Sequence, residues 1–441
     1  MTLKNMTRDM SGMIGGKGRQ DRLLFAGMGI VILWMSIIFL CPEVCPAADT
    51  ESGKHAETES GRYAETVTQT ADDILSDMTL EEKVAQLFVI TPEALTGVDG
   101  VTMAGEVTKE AFSACPVGGI IYMEPNIQTW DQTSRMLASV QEISMERIGL
   151  PLFLAVDEEG GRVRRISGRL ENIPYIPEMS SIGDTGDPAQ ALEIGRTIGG
   201  YLRQLGFNVD FAPVADVLTD PANTVIGDRS FGADPDQAGR MVSQETAGLR
   251  EQGVCATLKH FPGHGDTGGD SHQGFVFSDK TLEELRNCEL VPFEDGIRAG
   301  AEFVMAGHIS LPNVIGDDTP ASLSHTILTD LLRNDLGFEG IIITDALNMG
   351  AIRNRYDSGD AAIRALLAGA DMILMPADFQ SARSAVLEAV MDGRIGTDRL
   401  DASLRRIISL KLRLQEAEGQ GLITEITETG TEGSYTAVLQ D

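Results

Sequence analysis

Short apolar segments rich in β-branched residues recur at intervals along residues 87–375. Each run is apolar almost throughout, without a strict alternation of polar and apolar positions, which is typical of strands buried on both faces of a parallel sheet. We therefore predict eight strands, at "LFVI" (87–90), "GIIYM" (119–123), "LFLAV" (152–156), "VDFAPV" (209–214), "ATLKH" (256–260), "EFVMAGH" (302–308), "GIIIT" (340–344) and "DMILM" (371–375).

Helical patterns separate most of these strands and begin at recognisable start signals. Thr79 and Glu82 have the spacing of a capping box. Asp187–Pro188 and Asp234–Pro235 each place a capping residue before a proline at the first helical position. Strands that alternate with helices predict an α/β fold, a (β/α)8 TIM barrel that forms a single catalytic domain over 71–415. The alternative is an open doubly wound sheet.

The two ends of the chain differ in composition from this domain. Residues 1–22 are basic, and 23–40 form an unbroken apolar run that is either a signal-peptide core or a membrane anchor. Either way, the basic segment stays cytoplasmic and the rest is exported, whether released outside the cell or tethered at the outer face of the membrane. Residues 46–70 and 416–441 have little to bury and are predicted to be a flexible linker and a flexible tail.

Charge and cysteine content exclude some classes of function. The formal net charge of -31 argues against nucleic acid as a partner, because phosphate contacts need a basic face. Beyond the leader only Cys115, Cys255 and Cys288 remain, which is no disulfide framework, and we expect small buried side chains. The sequence carries no signal of an oligomeric state.

Polar residues follow five of the predicted strands at the point where each apolar run ends. In a barrel these carboxyl ends meet at one mouth, where active sites of this fold are found. The segments concerned are "VDEEGGRVRR", "APVAD", "KHFPGHGD", "MAGH" and "TDALNM".

The segment "KHFPGHGDTGGDSH", residues 259–272, contains three of the six histidines. His260 and His264 have the spacing of a helical zinc site, but Pro262–Gly263 would break that helix, and no thiolate accompanies them. The segment also lacks the GxxxxGK[ST] pattern of a phosphate-binding loop. We predict no metal and no cofactor, and we expect His264 to bond within the turn.

Acid–base chemistry fits this segment better. Asp270 lies two residues before His272 and can orient its imidazole as a general acid/base. Lys259 and His260 lie at the strand end, where rigid placement suits substrate binding. Asp345, after "IIIT", is either a helix cap or a nucleophile, and its place at the predicted mouth favours the nucleophile. A carboxylate with a separate acid/base is the arrangement of retaining glycosidases.

Asp157, Arg165 and Arg229 lie on loops at the same mouth. Such residues often form surface ion pairs, but together they can also hold sugar hydroxyls. Aromatic residues make up only 5% of the chain, and Trp130 is the one tryptophan outside the leader. A pocket for one terminal sugar therefore fits better than a long stacking cleft.

In this combination and order, several segments resemble glycoside hydrolase family 3, in its β-N-acetylglucosaminidase branch. They are "VDEEGGRVRR", "NVDFAPVADV", "NTVIGDRSFG", "KHFPGHGDTGGDSH" and "ITDALNM", and the likeness extends from Ile74 to Leu412. The resemblance implies a TIM barrel and a covalent glycosyl-enzyme, with Asp345 as nucleophile, His272 as acid/base and Asp270 as its partner. It also implies a set of sugar-binding residues, namely Asp157, Arg165, Arg229, Lys259 and His260.

The expected function is therefore exo-acting removal of terminal β-linked N-acetylglucosamine. On the family resemblance, the expected carbohydrate substrates are N-acetylglucosaminides and muropeptides derived from peptidoglycan. Within the family, a β-glucosidase, a xylosidase or an N-acetylglucosaminide phosphorylase remains open. A metal-dependent barrel hydrolase and an exported sugar-binding protein that releases no product are the alternatives from other classes.

Overall fold

The computed structural model describes residue 67, residues 69–268, residue 274 and residues 276–419. The basic segment 1–22, the apolar segment 23–40 and almost all of the linker 46–70 lie outside these residues. Among the helices of the described part, none combines the length and the apolar character needed to cross a bilayer.

All eight predicted strands are present and form one parallel sheet. Its spatial order is β10-β1-β2-β3-β4-β5-β7-β9, and a bridge between Ile343 and Met372 joins the two ends of that order. The sheet is therefore a closed (β/α)8 barrel, as predicted, and the open-sheet alternative is wrong. The strands are β1 (Phe88–Ile90), β2 (Gly119–Ile121), β3 (Phe153–Val156), β4 (Val209–Asp210), β5 (Cys255–Phe261), β7 (Phe303–Ala306), β9 (Ile341–Thr344) and β10 (Ile373–Leu374).

Strand β4 is shorter than its apolar run predicts. Pro213 has no N–H group and so cannot donate to the ladder. Phe211 still donates to Val156 O of β3 at 2.9 Å, and beyond it the bonds go to β5, where Thr257 donates to Ala212 O at 2.7 Å. Two further strands, β6 (Val276–Phe277) and β8 (Ile309–Ser310), form a small parallel pair that the sequence pattern does not predict.

Helices pack around the barrel, and the predicted start signals are confirmed. Thr79 caps its helix in a capping box with Glu82, and Asp187 and Asp234 accept backbone N–H groups as N-caps before prolines. The helices are α1 (69–77), α2 (Leu80–Ala85), α3 (Pro92–Thr96), α4 (Glu106–Ala114), α5 (Trp130–Ile148), α6 (Met179–Thr185), α7 (Pro188–Leu205), α8 (Pro235–Glu251), α9 (Leu282–Arg286), α10 (Leu290–Arg298), α11 (Pro312–Ile315), α12 (Gly350–Arg353), α13 (Ser358–Ala368), α14 (Phe379–Met391), α15 (Thr397–Gly419) and a π-helix (Thr326–Asp335).

Helix α1 starts inside the last residues of the predicted linker, and α15 continues past residue 416 to Gly419. The folded part is thus slightly longer than 71–415 at both ends. Cys115 and Cys255 are buried and Cys288 is half-buried, and all three are free thiols.

The amino-terminal end of the barrel is closed by a lysine. Lys411, on α15, is fully buried, and its Nζ lies 5.1 Å from the centre of the Phe153 ring. Nζ donates a hydrogen bond of 2.8 Å to Gln86, which lies two residues before β1. Burial lowers the pKa of Lys411 to about 7. At this end of a TIM barrel, side chains usually contribute to stability and take no part in the chemistry.

Candidate active site

The predicted site residues emerge from the carboxyl ends of the strands. Asp157 directly follows β3, Lys259 and His260 lie in the last residues of β5, and Asp345 directly follows β9. Parallel strands in a barrel place these ends at one mouth, so residues distant along the chain share one site.

A buried lysine is the centre of the first group of charges. Lys259 Nζ lies 2.8 Å from Asp157 Oδ1 and 2.5 Å from Glu159 Oε1, with only 2% of its side chain exposed. Arg229 binds the same Glu159 through two hydrogen bonds, of 2.7 Å from Nε and 2.8 Å from Nη2. A planar guanidinium matches a carboxylate in this way, which fixes both side chains.

Opposite charges keep this group ionised despite burial. Burial alone would raise the pKa of Glu159, but the charges of Arg229 and Lys259 outweigh it and hold the pKa well below its ordinary value. Burial likewise works against the charge of Lys259, and the carboxylates of Asp157 and Glu159 raise its pKa above the usual value. The mouth therefore carries a fixed cluster of full charges centred on Lys259.

Arg165 belongs to the same group through Asp157. Its Nη2 atom lies 3.8 Å from Asp157 Oδ2, and about a fifth of each side chain is exposed. The structure thus brings together four of the five predicted sugar-binding residues, Asp157, Arg165, Arg229 and Lys259. Asp157 and Arg165 are partly exposed and so accessible to a ligand. Arg229 and Lys259 are buried, and each forms an ion pair with Glu159.

His260 is held by a second buried carboxylate. Asp216 accepts a hydrogen bond of 3.1 Å from the backbone N–H of His260 and lies 2.8 Å from its Nδ1. It also accepts the backbone N–H of His264 at 2.7 Å. Burial would raise the pKa of Asp216, but the two histidines lower it below its ordinary value. Asp216 thereby fixes the tautomer of His260, with Nδ1 carrying the proton.

The turn after β5 is closely packed. The His264 side chain bonds within it, as expected, with Nδ1 at 2.6 Å from Thr267 Oγ1. Burial lowers the pKa of His264, which favours its neutral form. A Cβ atom on Gly265 would lie 1.7 Å from Val217 O, so this position requires glycine. Two peptide bonds here, Lys259–His260 and Phe261–Pro262, are cis.

Asp345 is half-buried at the mouth. Its backbone N–H donates to Ala306 O at 2.9 Å, and its Oδ1 accepts the N–H of Ala346 at 2.7 Å. The next helix, α12, begins after Met349, so Asp345 is not its cap and that alternative is wrong.

His308, at the end of "MAGH", supports the peptide that follows Asp345. Its Nε2 lies 3.0 Å from Ala346 O, and its Nδ1 lies 2.8 Å from Ser322 Oγ. Because His308 is only 1% exposed, it is placed to fix the backbone next to Asp345.

Asp270 and His272 lie outside the described residues, which stop at 268 and resume at 274. Their assignment as orienting carboxylate and acid/base stays a prediction. In the part of the chain that the structure describes, no group of three or more His, Cys, Asp or Glu side chains has the arrangement of a metal site.

Sequence reasoning did not single out Glu158, Glu159, Asp216 or His308. For Glu159 a signal was available: two adjacent glutamates directly after a buried strand need partners, because a buried carboxylate is costly without them. Asp216 has the same signal, since it ends the otherwise apolar "FAPVAD".

The most similar relatives include two named hexosaminidases. The chain is 34% identical to "Beta-hexosaminidase A" of Pseudoalteromonas piscicida over 343 residues, which are 72% of this chain and 57% of that protein. It is 37% identical to "Beta-hexosaminidase LpqI" of Mycobacterium tuberculosis over 270 residues, 59% of this chain and 68% of that protein. The match thus spans little more than half of the Pseudoalteromonas protein.

Solved structures agree with this grouping. A glycoside hydrolase family 3 beta-N-acetylglucosaminidase from Paenibacillus superposes with a TM-score of 0.72 at 35% identity, covering 82% of this chain and 66% of that chain. The structure of M. tuberculosis LpqI superposes with a TM-score of 0.67 at 33% identity, covering 77% of this chain and 96% of that chain. Residues 79–410 match the family model described as "Glycosyl hydrolase family 3 N terminal domain". By its match to the family model and by its similarity to these structures, the chain belongs to glycosyl hydrolase family 3.

Proposed function

We propose that this protein is an exported, exo-acting, retaining β-N-acetylhexosaminidase that removes terminal N-acetylglucosamine. The observation that carries the proposal is the mouth of the barrel, where the Asp345 carboxylate shares one face with the Lys259, Asp157 and Arg229 charges. The names of the hexosaminidase relatives support the choice of sugar.

The charged group suits recognition of one sugar. Asp157 and Lys259 offer an acceptor and a donor side by side, 2.8 Å apart, which matches adjacent hydroxyls of a pyranose ring. Arg165 adds a second donor beside Asp157. Since Glu159 and Asp216 hold Lys259, Arg229 and His260 in place, little side-chain entropy is lost when the sugar binds.

The proposed reaction has two steps. In the first, Asp345 attacks the anomeric carbon while His272 gives its proton to the glycosidic oxygen, so that the aglycone leaves and a glycosyl-aspartate ester forms. In the second, His272 takes a proton from water, and the resulting attack on the anomeric carbon releases the sugar and free Asp345. Two inversions give net retention of configuration.

The export and the natural substrate rest on the sequence and on the family resemblance. The basic segment 1–22 followed by the apolar run 23–40 supports export, with release or with a tether at the outer face of the membrane. Muropeptide fragments of peptidoglycan are the proposed source of the sugar. An exported enzyme would meet such fragments outside the cytoplasmic membrane.

A panel of aryl glycosides tests the activity. We expect cleavage of the aryl N-acetyl-β-glucosaminide in preference to the glucoside and the xyloside, at the same rate with and without inorganic phosphate and with a chelator. Preference for the glucoside would reject the choice of sugar, and dependence on phosphate would make the enzyme a phosphorylase. Binding of N-acetylglucosamine without turnover would indicate a sugar-binding protein.

Asp345→Asn tests the nucleophile. An amide is a poor nucleophile of the same size, so we expect turnover to fall by at least about a thousandfold while the melting temperature is kept. Asp236→Asn, on the exposed first turn of α8, is the matched control and should retain full activity. Rates close to wild type in Asp345→Asn would end the assignment.

A further inference from the structure

The loop that leads from β3 to α6 wraps around one buried carboxylate. Glu158 is fully buried. Its Oε2 atom accepts the backbone N–H groups of Arg165 at 2.6 Å and Ile166 at 3.0 Å, and its Oε1 atom accepts the N–H of Ser167 at 2.6 Å. Three successive peptide groups are therefore bound by a single side chain that lies seven to nine residues before them.

Two rigid elements hold Glu158 in turn. Tyr201 on α7, also fully buried, donates its O–H to Glu158 Oε1 at 2.8 Å. Asp210, the last residue of β4, accepts the backbone N–H of Glu158 on Oδ1 at 3.0 Å. Glu158 thus connects the loop to a helix through its carboxylate and to a barrel strand through its backbone N–H, and both elements lie in the core.

All four partners of the Glu158 carboxylate are donors. An ionised carboxylate accepts four hydrogen bonds on its two oxygens, whereas a glutamine of the same shape has one oxygen and one amino group. Glutamine at this position would turn a donor toward at least one backbone N–H. The arrangement is therefore specific for a carboxylate. If Glu158 only filled space, a glutamine of the same shape would serve equally well.

One of the three bound peptides belongs to Arg165, and the Arg165 guanidinium lies 3.8 Å from Asp157 in the sugar site. Glu159, the next residue, holds Arg229 and Lys259 through their side chains. We propose that Glu158 is a positioning residue that sets Arg165 for the terminal sugar by fixing the backbone of its loop. This role rests on the proposed function, since it assigns Arg165 to the sugar.

The test is a cycle of variants assayed on the aryl N-acetylglucosaminide. We expect Glu158→Gln to raise KM about tenfold with kcat within about twofold, because the lost contact is made equally in the ground state and the transition state. Arg165→Ala should likewise raise KM with little change in kcat. The double variant should be no worse than Arg165→Ala alone, since both changes remove one interaction.

Tyr201→Phe is the matched control, because it removes one donor from Glu158 and leaves the three backbone bonds in place. It should keep KM within about twofold of wild type. If the Glu158→Gln and Arg165→Ala losses multiply, or if Tyr201→Phe raises KM as much as Glu158→Gln, Glu158 does not act through Arg165 and the proposal is overturned. If Glu158→Gln does not fold, Glu158→Asp takes its place, because its carboxylate is one methylene shorter. KM, kcat and the double variant with Arg165→Ala are then compared as before.

Amide hydrogen exchange provides a readout that is independent of activity. The N–H groups of Arg165, Ile166 and Ser167 should exchange faster in Glu158→Gln than in wild type or in Tyr201→Phe, with the barrel strands unchanged. Unchanged exchange at these three positions would overturn the positioning role. A wild-type enzyme that cleaves none of the aryl glycosides would instead reject the proposed function, while the exchange result would still decide whether Glu158 orders the loop.

Discussion

The three consecutive acids after β3, Asp157, Glu158 and Glu159, show that the role of a carboxylate depends on the groups that surround it. Asp157 is partly exposed and pairs with Lys259, Glu158 accepts three backbone N–H groups of one loop and the Tyr201 hydroxyl, and Glu159 neutralises two buried cations. A buried carboxylate is stable only with such partners. Acids next to one another in the sequence therefore pair with a lysine at the mouth, order backbone or balance buried charge, depending on what the fold places beside each of them.

Loss of the Glu159 charge should be costly. Glu159→Gln leaves Arg229 and Lys259 buried with too little negative charge, so we expect the free energy of unfolding to fall by about 3 kcal/mol. Urea unfolding at pH 7 measures this. The exposed Glu146→Gln, whose partner Lys109 is at the surface, should change nothing measurable, and a comparable stability for both variants would contradict the role of Glu159.

A leaving-group series tests His272. His272→Ala should slow N-acetylglucosaminides with poor leaving groups far more than aryl glycosides with good ones, because a good leaving group needs no proton. Ratios of kcat/KM across the series measure the difference. Equal losses on both kinds of substrate would count against the acid role.

At the scale of elements, helix α8 carries a buried acid without hydrogen bonds to the described residues. Glu245 is fully buried against the barrel, and neither of its carboxyl oxygens has a hydrogen-bond partner in the part of the chain that the structure describes. Burial, with a smaller contribution from Glu159, raises the pKa of Glu245 to about 8. The neighbouring Asp210 has a pKa raised in the same direction, chiefly by burial. This layer between α8 and the strands is therefore adapted to neutral acids.

The raised pKa of Glu245 predicts that stability falls as pH rises from 4.5 to about 8. Above the unfolded value of 4.5 the unfolded chain releases the Glu245 proton, while the native protein keeps it up to about pH 8. Stability therefore falls as pH rises between these values, by at most about 5 kcal/mol from this group. Urea unfolding at pH 5 and pH 8 should show a shallower fall in Glu245→Gln, and the exposed Glu251→Gln should keep the wild-type slope. Equal slopes in both variants would reject this account.

Sequence patterns predicted secondary-structure elements correctly where the element depends on neighbouring residues. Helix starts at Thr79, Asp187 and Asp234 depend on a side chain that caps its own turn, and each is present. The two-residue strands β6 and β8 were missed because segments that short have no periodicity. Pro213 shortened β4 through a missing N–H, which sequence reasoning could have anticipated.

At the scale of the whole molecule, closure of the barrel places Lys411 of the last helix, α15, at the amino-terminal ends of β1 and β3. Lys411 has Gln86 and the Phe153 ring as neighbours, and its pKa of about 7 lies far below the usual 10.5. The unfolded chain therefore holds this proton between pH 7 and pH 10.5 while the native protein does not. Stability should rise with pH in that window, and the full penalty is present below pH 7.

Replacement of Lys411 by methionine should remove that penalty. We expect Lys411→Met to be more stable than wild type by about 1–2 kcal/mol at pH 6, after the cost of the unpaired Gln86 oxygen, and to lack the rise above pH 7. Thermal and urea unfolding from pH 6 to pH 10 measure both effects. The exposed Lys109→Met is the control, and a destabilised Lys411→Met with an unchanged pH slope would contradict the prediction.

The sequence by itself determined the number and places of the barrel strands, the helix starts and the family. These follow from apolar runs, caps and motifs, each of which is a property of neighbouring residues. Only the tertiary structure decided that the sheet closes, that Glu159 joins Arg229 to Lys259, that Glu158 holds the Arg165 loop, that the pKa of Glu245 is raised and that the pKa of Lys411 is lowered. Those properties depend on burial and on contacts between residues far apart in the chain, which no local pattern encodes.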